Sequence, residues 1–255
     1  MFSVIICSID PVKFARIQQH YRELFGPDAY ELIGVHDARS MAEGYNRGIA
    51  AAKGEVVIFS HDDIEFLRPA DWLFRLKLHL SRFDMLGLAG TTKLIYPAWA
   101  VSAPPYIFGQ VAHKAGTKDW PAPYRLEIYG VPAAALGGIQ AMDGVFLAVR
   151  RKVLQRIRFD EKTFNGFHCC DVDFTYCAYR AGFKLAVVCD MPALHDSTGA
   201  FDSEAWRKAA ECFMQKHADH LPPANLARYI ITQVSAETKE ELQELMMPPQ
   251  VHSPI

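Results

Sequence analysis

The 255-residue chain lacks a charge excess. Its 27 Lys and Arg against 29 Asp and Glu leave a formal net charge of −2, so nothing global draws it to nucleic acid or to an acidic membrane surface. Long apolar runs are missing too: no stretch approaches the roughly 18–20 residues that a spanning helix needs. The N-terminal MFSVIICSID is too short for a signal core and has neither a basic leader nor a small-residue cleavage site. The expectation is a cytoplasmic protein. Its cysteines (Cys7, Cys169, Cys170, Cys177, Cys189, Cys212) form no CxxC pair of the zinc type, and in such a chain they read as buried, reduced thiols. After the first apolar run, Ser8-Ile9-Asp10-Pro11 supplies no glycine-rich phosphate loop, which argues against a sugar nucleotidyltransferase. Internal repeats and low-complexity tracts are absent.

What is present is an apolar half. Hydrophobic residues make up 50% of the chain, enough for the core of one large α/β domain or two small ones. Ser3 to Ser8 is a β-branched run, and Asp10-Pro11 turns it into an amphipathic segment from Lys13 to Phe25, broken by Gly26-Pro27-Asp28. Tyr30 to Val35 resumes as a strand. A second helix from Met41 to about Ala52 is expected to close on Lys53, with Gly54 as its cap. Glu55 to Ser60 is almost wholly apolar, as befits a central strand covered on both faces, and Asp71 to Phe83 reads as a helix. This alternation predicts a parallel, doubly wound sheet.

Between Tyr96 and Gln140 the pattern fails. Pro97, Pro104, Pro105, Pro121, Pro123 and Pro132, with Gly137-Gly138, leave little room for long regular elements. An irregular segment of this length inside a compact domain is usually functional, a lid or an acceptor surface. Trp99, Tyr106, Phe108, Trp120 and Tyr124 make it too aromatic for a disordered insert. Ala141 to Val149 is expected as one strand, Asp171 to Ala181 as a helix ended by Gly182, and Leu185 to Cys189 as a strand. From Phe201 the chain is expected to turn helical, before a frayed tail at Met247-Pro248-Pro249.

The sharpest chemical feature is Ser60-His61-Asp62-Asp63, directly after the apolar strand EVVIFS. In open α/β sheets the ligand crevice lies outside the carboxyl ends of the strands. Two adjacent carboxylates repel unless a cation lies between them, and magnesium or manganese, held by a few carboxylates and substrate phosphates, suits such a place. The bland reading is that the two acids only cap the following turn. Asp171, in His168-Cys169-Cys170-Asp171-Val172-Asp173, falls at a helix start, where free N–H groups are expected to keep it ionised. Asp173 points about 200° away on the same helix and reads as a supporting group. Asp143, before Gly144 in a strand-like run, is out of place unless it faces a site; a turn-forming Asp-Gly pair is the alternative. His195 follows the last strand in Leu194-His195-Asp196-Ser197-Thr198-Gly199.

The run from Asn46 to Asp63, NRGIAAAKGEVVIFSHDD, resembles family-two glycosyltransferases of the GT-A fold. There an Asn-x-Gly helix precedes a Gly-Glu-initiated strand and an Asp-x-Asp metal motif. The strand FSVIICSID, the turn Val35-His36-Asp37-Ala38-Arg39-Ser40 and the later Tyr179-Arg180-Ala181-Gly182-Phe183 fit the same pattern. Two positions depart from it: the motif's first acid falls on Ser60 or His61, and Cys170 replaces a Glu. The resemblance implies an α/β, Rossmann-like mixed and mostly parallel sheet with helices on both faces. A GT-A domain would span about 1–200, its nucleotide-binding half about 1–95 and its acceptor half about 96–200, with 201–255 a helical extension packed on it.

By that resemblance the function is metal-dependent transfer of a sugar, with inversion, from a nucleotide-sugar (UDP-linked) to a glycan or other hydroxyl acceptor. Ser8, Asp10, Asp37, Asn46 and Asp62 would hold the donor. His61, Asp62, Asp63 and His195 would hold Mn2+ or Mg2+, with the choice between Asp62 and Asp63 left open. Asp171 would be the general base and Asp143 an acceptor-side or donor-sugar contact, while Arg47, Lys53 and Lys93 are candidate phosphate cations. A catalytically idle nucleotide-binding relative is the rival from another class.

Overall fold

A computed structural model describes residues 1–130, 133–197, 203–223 and 231–246. Strand β1 (Phe2–Cys7), helix α1 (Pro11–Phe25), β2 (Tyr30–Val35), α2 (Met41–Ala51) and β3 (Val56–Ser60) follow the predicted order. Local chemistry explains their ends. The Asp10 carboxylate accepts from the Val12 and Lys13 N–H groups, and Pro11 sits in the first turn, where no N–H is missed. Ser40 caps α2 through the Glu43 N–H. Gly54 does not cap α2, contrary to expectation: Ala52 ends the helix in an extended conformation, with φ −68° and ψ 135°. Gly54 is needed for close packing instead, because a Cβ there would fall 2.6 Å from the Ser3 nitrogen.

The chain continues through β4 (Ile64–Phe66), α3 (Pro69–Leu80), β5 (Met85–Gly87), β6 (Ala89–Thr91), β7 (Ile107–Lys114), β8 (Tyr124–Tyr129) and β9 (Ala135–Gly137). Then come β10 (Ala141–Met142), β11 (Phe146–Arg150), the single turn α4 (Arg151–Leu154), α5 (Cys170–Arg180), β12 (Leu185–Val188) and β13 (Ala193–His195). The last are α6 (Glu204–Lys216), β14 (Thr232–Ala236) and α7 (Lys239–Leu245). The main sheet has the order β2-β1-β3-β11-β5-β12-β9. Only β11 and β9 run against the other strands, so the sheet is mixed and mostly parallel. A second, largely antiparallel sheet runs β10-β6-β7-β13-β4, with β8 and β14 added beside β7.

Helices cover both faces of the main sheet. On one face Phe59 meets Tyr45 of α2 at 4.9 Å and Phe174 of α5 at 6.0 Å between ring centroids. Phe146, one register position away and therefore on the opposite face, meets Trp72 of α3 at 6.2 Å, and Trp72 meets Tyr21 of α1. Burial of these rings is the main stabilising term of the core.

Three expectations need correction. The 96–140 region holds the eight-residue β7 and six-residue β8, because its prolines fall between strands rather than within them. The predicted strand 141–149 is two strands in different sheets, parted by Asp143-Gly144. The C-terminal part is not purely helical, since β14 pairs with β8 along five residues. Thr198, Gly199, Phe201 and the tail from Met247 lie outside the described residues. Between β3 and β4, β5 and β6, β10 and β11, and β12 and β13, the chain passes from one sheet to the other. No helix among the described residues is long and apolar enough to cross a membrane, and all six cysteines are free.

Helix α5 is held in place by α6. Asp173, 1% exposed, takes His217 Nε2 at 2.8 Å and Lys216 Nζ at 2.8 Å, and the same ammonium reaches Asp160 at 2.9 Å. Asp173, Cys177 and His217 are spaced like metal ligands, but the Lys216 ammonium already supplies the positive charge there. Asp173→Ala strips the buried His217 and the half-buried Lys216 of a shared acceptor and is expected to cost about 3 kcal/mol in denaturant unfolding, at the lower end for a broken buried pair because Lys216 is partly exposed.

Candidate active site

A cavity of about 660 Å³ opens where the two sheets meet. His61 enters it from the end of β3, Asp143 and Gly144 from the break between β10 and β11, Asp171 from the first turn of α5, and His195 from the end of β13. This is the carboxyl-end crevice that an open α/β sheet offers.

His61, Asp63 and His195 form a compact triad. His195 Nε2 lies 3.2 Å from Asp63 Oδ1 and 3.2 Å from His61 Nδ1, and His61 Nδ1 lies 4.0 Å from Asp63 Oδ1. Ligands about 2.1 Å from a shared ion stand about 3.0 Å apart when adjacent and about 4.2 Å when opposite. The triad therefore fits a divalent cation. Asp63 is 7% exposed. Burial works against its charge, but the hydrogen bond and charge of His195 and the nearby Lys13 ammonium overturn that and hold the carboxyl well below its usual range. Burial and the neighbouring His195 lower the His61 pKa against the pull of the surrounding acids, which keeps a lone pair available for a metal.

Asp62 faces the other way. Its carboxylate accepts from Ser8 Oγ at 2.5 Å and stands outside the triad. The cation that the sequence reading missed is Lys13, in the first turn of α1, with Nζ 3.3 Å from Asp63 Oδ2. Of the expected phosphate cations, Arg47 is paired with Asp37 at 2.7 Å and Lys93 lies over the Tyr106 ring at 4.7 Å. Asp10 caps α1, and Asn46 donates to the Phe159 carbonyl at 2.9 Å. None of Ser8, Asp10, Asp37, Asn46 and Asp62 is among the residues lining the cavity. Ser8 and Asp62 are bonded to each other, whereas Asp10 and Asn46 serve the scaffold.

Asp143 and Asp171 form the second group. Asp143 accepts from the Trp99 indole at 3.3 Å and from the Val145 N–H at 3.0 Å. Burial and then the nearby Asp143 push the Asp171 carboxyl up to about 7, against the backbone N–H groups of Val172, Asp171 and Gly144. The helix start alone does not keep this acid ionised, as the sequence suggested it would; desolvation wins. Gly144 permits the approach, since a Cβ there would fall 2.6 Å from Asp171 Cβ and 2.7 Å from its Oδ2. Gly144→Ala is expected to displace Asp171 and destabilise the fold by about 1–3 kcal/mol, as overpacking does. Denaturant unfolding reads that loss.

The sequence profile of the glycosyltransferase-like family matches residues 3–217. The chain belongs to that family. A search of curated proteins finds no match. Among solved structures, the family member described here is similar to the mannosyltransferase PcManGT from Pyrobaculum calidifontis, in complex with GDP-Man and Mn2+. That likeness has TM-score 0.52 and 14% identity, covering 89% of this chain and 65% of that one, so the chain spans just under two thirds of the relative's length. GalNAc-T7 with UDP, GalNAc and Mn2+ gives TM-score 0.48 and 11% identity over 83% of this chain and 47% of that one. S. aureus TarS, residues 1–349, gives 0.45 and 14% over 86% and 72%. At such identities the likeness establishes the fold, the mixed α/β architecture of GT-A glycosyltransferases.

Proposed function

We propose that this chain transfers a sugar from a nucleotide-sugar donor, UDP-linked in the first instance, to an acceptor hydroxyl, using a divalent cation held by His61, Asp63 and His195. One observation carries the reading: His61 and His195, two members of a triad spaced to hold a cation, line the same cavity as a carboxyl with its pKa raised to about 7. A bound cation there supplies Lewis-acid stabilisation of the charge that grows on a leaving diphosphate. Two imidazoles with one carboxylate suit manganese better than magnesium, whose preference is for oxygen. Lys13, beside Asp63, adds a mobile positive charge at the same edge of the site.

Asp171 holds the place of the general base. A carboxyl that titrates near neutrality both ionises and accepts a proton efficiently at working pH. Lining the same cavity as His61 and His195, it takes the proton from the attacking hydroxyl on the face opposite the diphosphate, so the anomeric configuration inverts. Asp143 accepts the Trp99 indole N–H and, through its charge, raises the affinity of Asp171 for that proton.

The test is a panel of UDP- and GDP-sugars with and without manganese, followed by thermal unfolding and donor hydrolysis. A matching donor at a hundred times its Kd stabilises the fold by about 2.7 kcal/mol, and only when manganese is present. If no nucleotide-sugar shifts the transition in manganese, the proposal fails; stabilisation without hydrolysis or transfer identifies the idle relative instead.

A further inference from the structure

Beyond the triad, the cavity floor carries side chains that the reaction above does not use. Strands β13, β7 and β8 lie side by side, and their registers align His195 with His113 and His113 with Arg125. Glu127 stands opposite Val111 in the same pairing. Side chains alternate along a strand, so Arg125, Glu127 and Tyr129 share one face of β8, and all three line the cavity. Leu126, between them, turns to a separate apolar cluster with Ala112 and Leu194. At about 4.8 Å per strand, Arg125 stands roughly 10 Å along the floor from His195.

The row is built and only partly satisfied. Glu127 accepts from Tyr129 Oη at 2.6 Å and from Gln233 Nε2 at 3.1 Å, and it pairs with Arg125 Nη2 at 3.1 Å. The Arg125 Nε–H is buried and, among the described residues, has no hydrogen-bond partner. An orphaned buried donor in a cavity wall is costly unless a ligand satisfies it. Arginine and glutamate side by side present fixed donors and acceptors, and their charges cancel, so the row offers little to an anion. Trp99 and Tyr129, with ring centroids 4.9 Å apart, add an apolar wall with polar tips.

We propose that the Arg125–Glu127 row is a sugar-recognition subsite, which takes a neutral, polyhydroxylated ring against Trp99 and Tyr129. The inference rests on the glycosyl-transfer reading and narrows it to the residues that read the sugar, on either the donor or the acceptor.

Calorimetry with manganese tests it, comparing nucleoside diphosphate, nucleotide-sugar and free neutral sugars on wild type, Glu127→Gln and Arg125→Met. Both variants are expected to bind the bare nucleoside diphosphate within twofold of wild type and to lose the added affinity that the sugar brings. That loss should be about tenfold to a hundredfold, as when hydrogen bonds to charged groups are removed. A loss confined to the nucleotide-sugar assigns the row to the donor ring; a loss confined to free sugars assigns it to the acceptor. Sugar selectivity retained in both variants overturns the proposal, as does a wild-type preference for uronic acids over their neutral counterparts. If wild type binds no nucleotide, it is the glycosyl-transfer reading that falls. The row is then decided by saturation-transfer NMR with free sugars, which also serves if the variants do not fold: saturation of neutral sugars by the wild-type protein supports it, and none overturns it.

Discussion

Asp171→Asn is expected to lower kcat for sugar transfer about 10²- to 10⁴-fold, the usual contribution of a general base, with nucleotide affinity unchanged. The amide keeps the shape and the contacts with backbone N–H groups but cannot take a proton. The pH dependence gives the claim a second handle. With its pKa raised from 3.8 to about 7, wild-type Asp171 must ionise before it can act, so kcat should climb with pH through about 7 and then level off. The variant's residual rate should lack that inflection. The same shift has a stability consequence of fixed sign. A carboxyl whose folded pKa is raised binds its proton more tightly in the folded state, so stability declines as pH rises from about 4 to about 7. Asp171→Asn removes this decline. The variant should therefore melt above wild type at pH 8 and alongside it at pH 4, at about 2–4 °C per kcal/mol for a protein of this size. Full activity in the variant, or an inflection that survives the substitution, removes Asp171 from the role.

Asp63→Asn should weaken manganese binding at least a hundredfold and lower kcat by about three orders of magnitude, the several kcal/mol that a metal contributes to transition-state charge. Asp63 supplies the triad's only negative charge. Its loss also strands Lys13, now 3.3 Å from one carboxylate oxygen. The informative control is its neighbour. Asp62 spends its carboxylate on Ser8, so Asp62→Asn should leave manganese affinity within about threefold of wild type, the ordinary scale for a group outside the coordination shell. Manganese titration followed by electron paramagnetic resonance separates the two. Equal losses in both variants would mean that the acids share the ion and that the triad is misassigned.

The strand–helix order of residues 2–60 was legible because apolar periodicity, Asp10, Pro11 and Ser40 all act locally. Which of Asp62 and Asp63 stands beside His195 was not, since adjacent residues leaving a strand point to opposite sides and Ser8 engages Asp62 only once β1 packs against β3. Strands β7 and β8 were hidden by the prolines around them; their pairing is long-range, and no local signal records it. Lys13 showed only as the start of an amphipathic segment, and nothing nearby in sequence told of an acid 50 positions away. Asp171 was expected to stay ionised at its helix start, and burial raises its pKa instead, because desolvation is a property of the assembled cavity. The polar face of β8 carried a signal, the alternation of Arg125, Glu127 and Tyr129, but a strand had to be recognised there first.

The passages of chain from one sheet to the other have a consequence for how such a molecule can change. His61 and Asp63 lie on one passage, Asp143 on another, and His195 ends the strand that follows a third. These four side chains thus occupy a seam, while the side chains proposed to read the sugar stand on a single panel, the β7–β8 hairpin. Substitutions on that panel can retune what is carried without unpicking the seam. A slip of one sheet against the other would misalign all four at once.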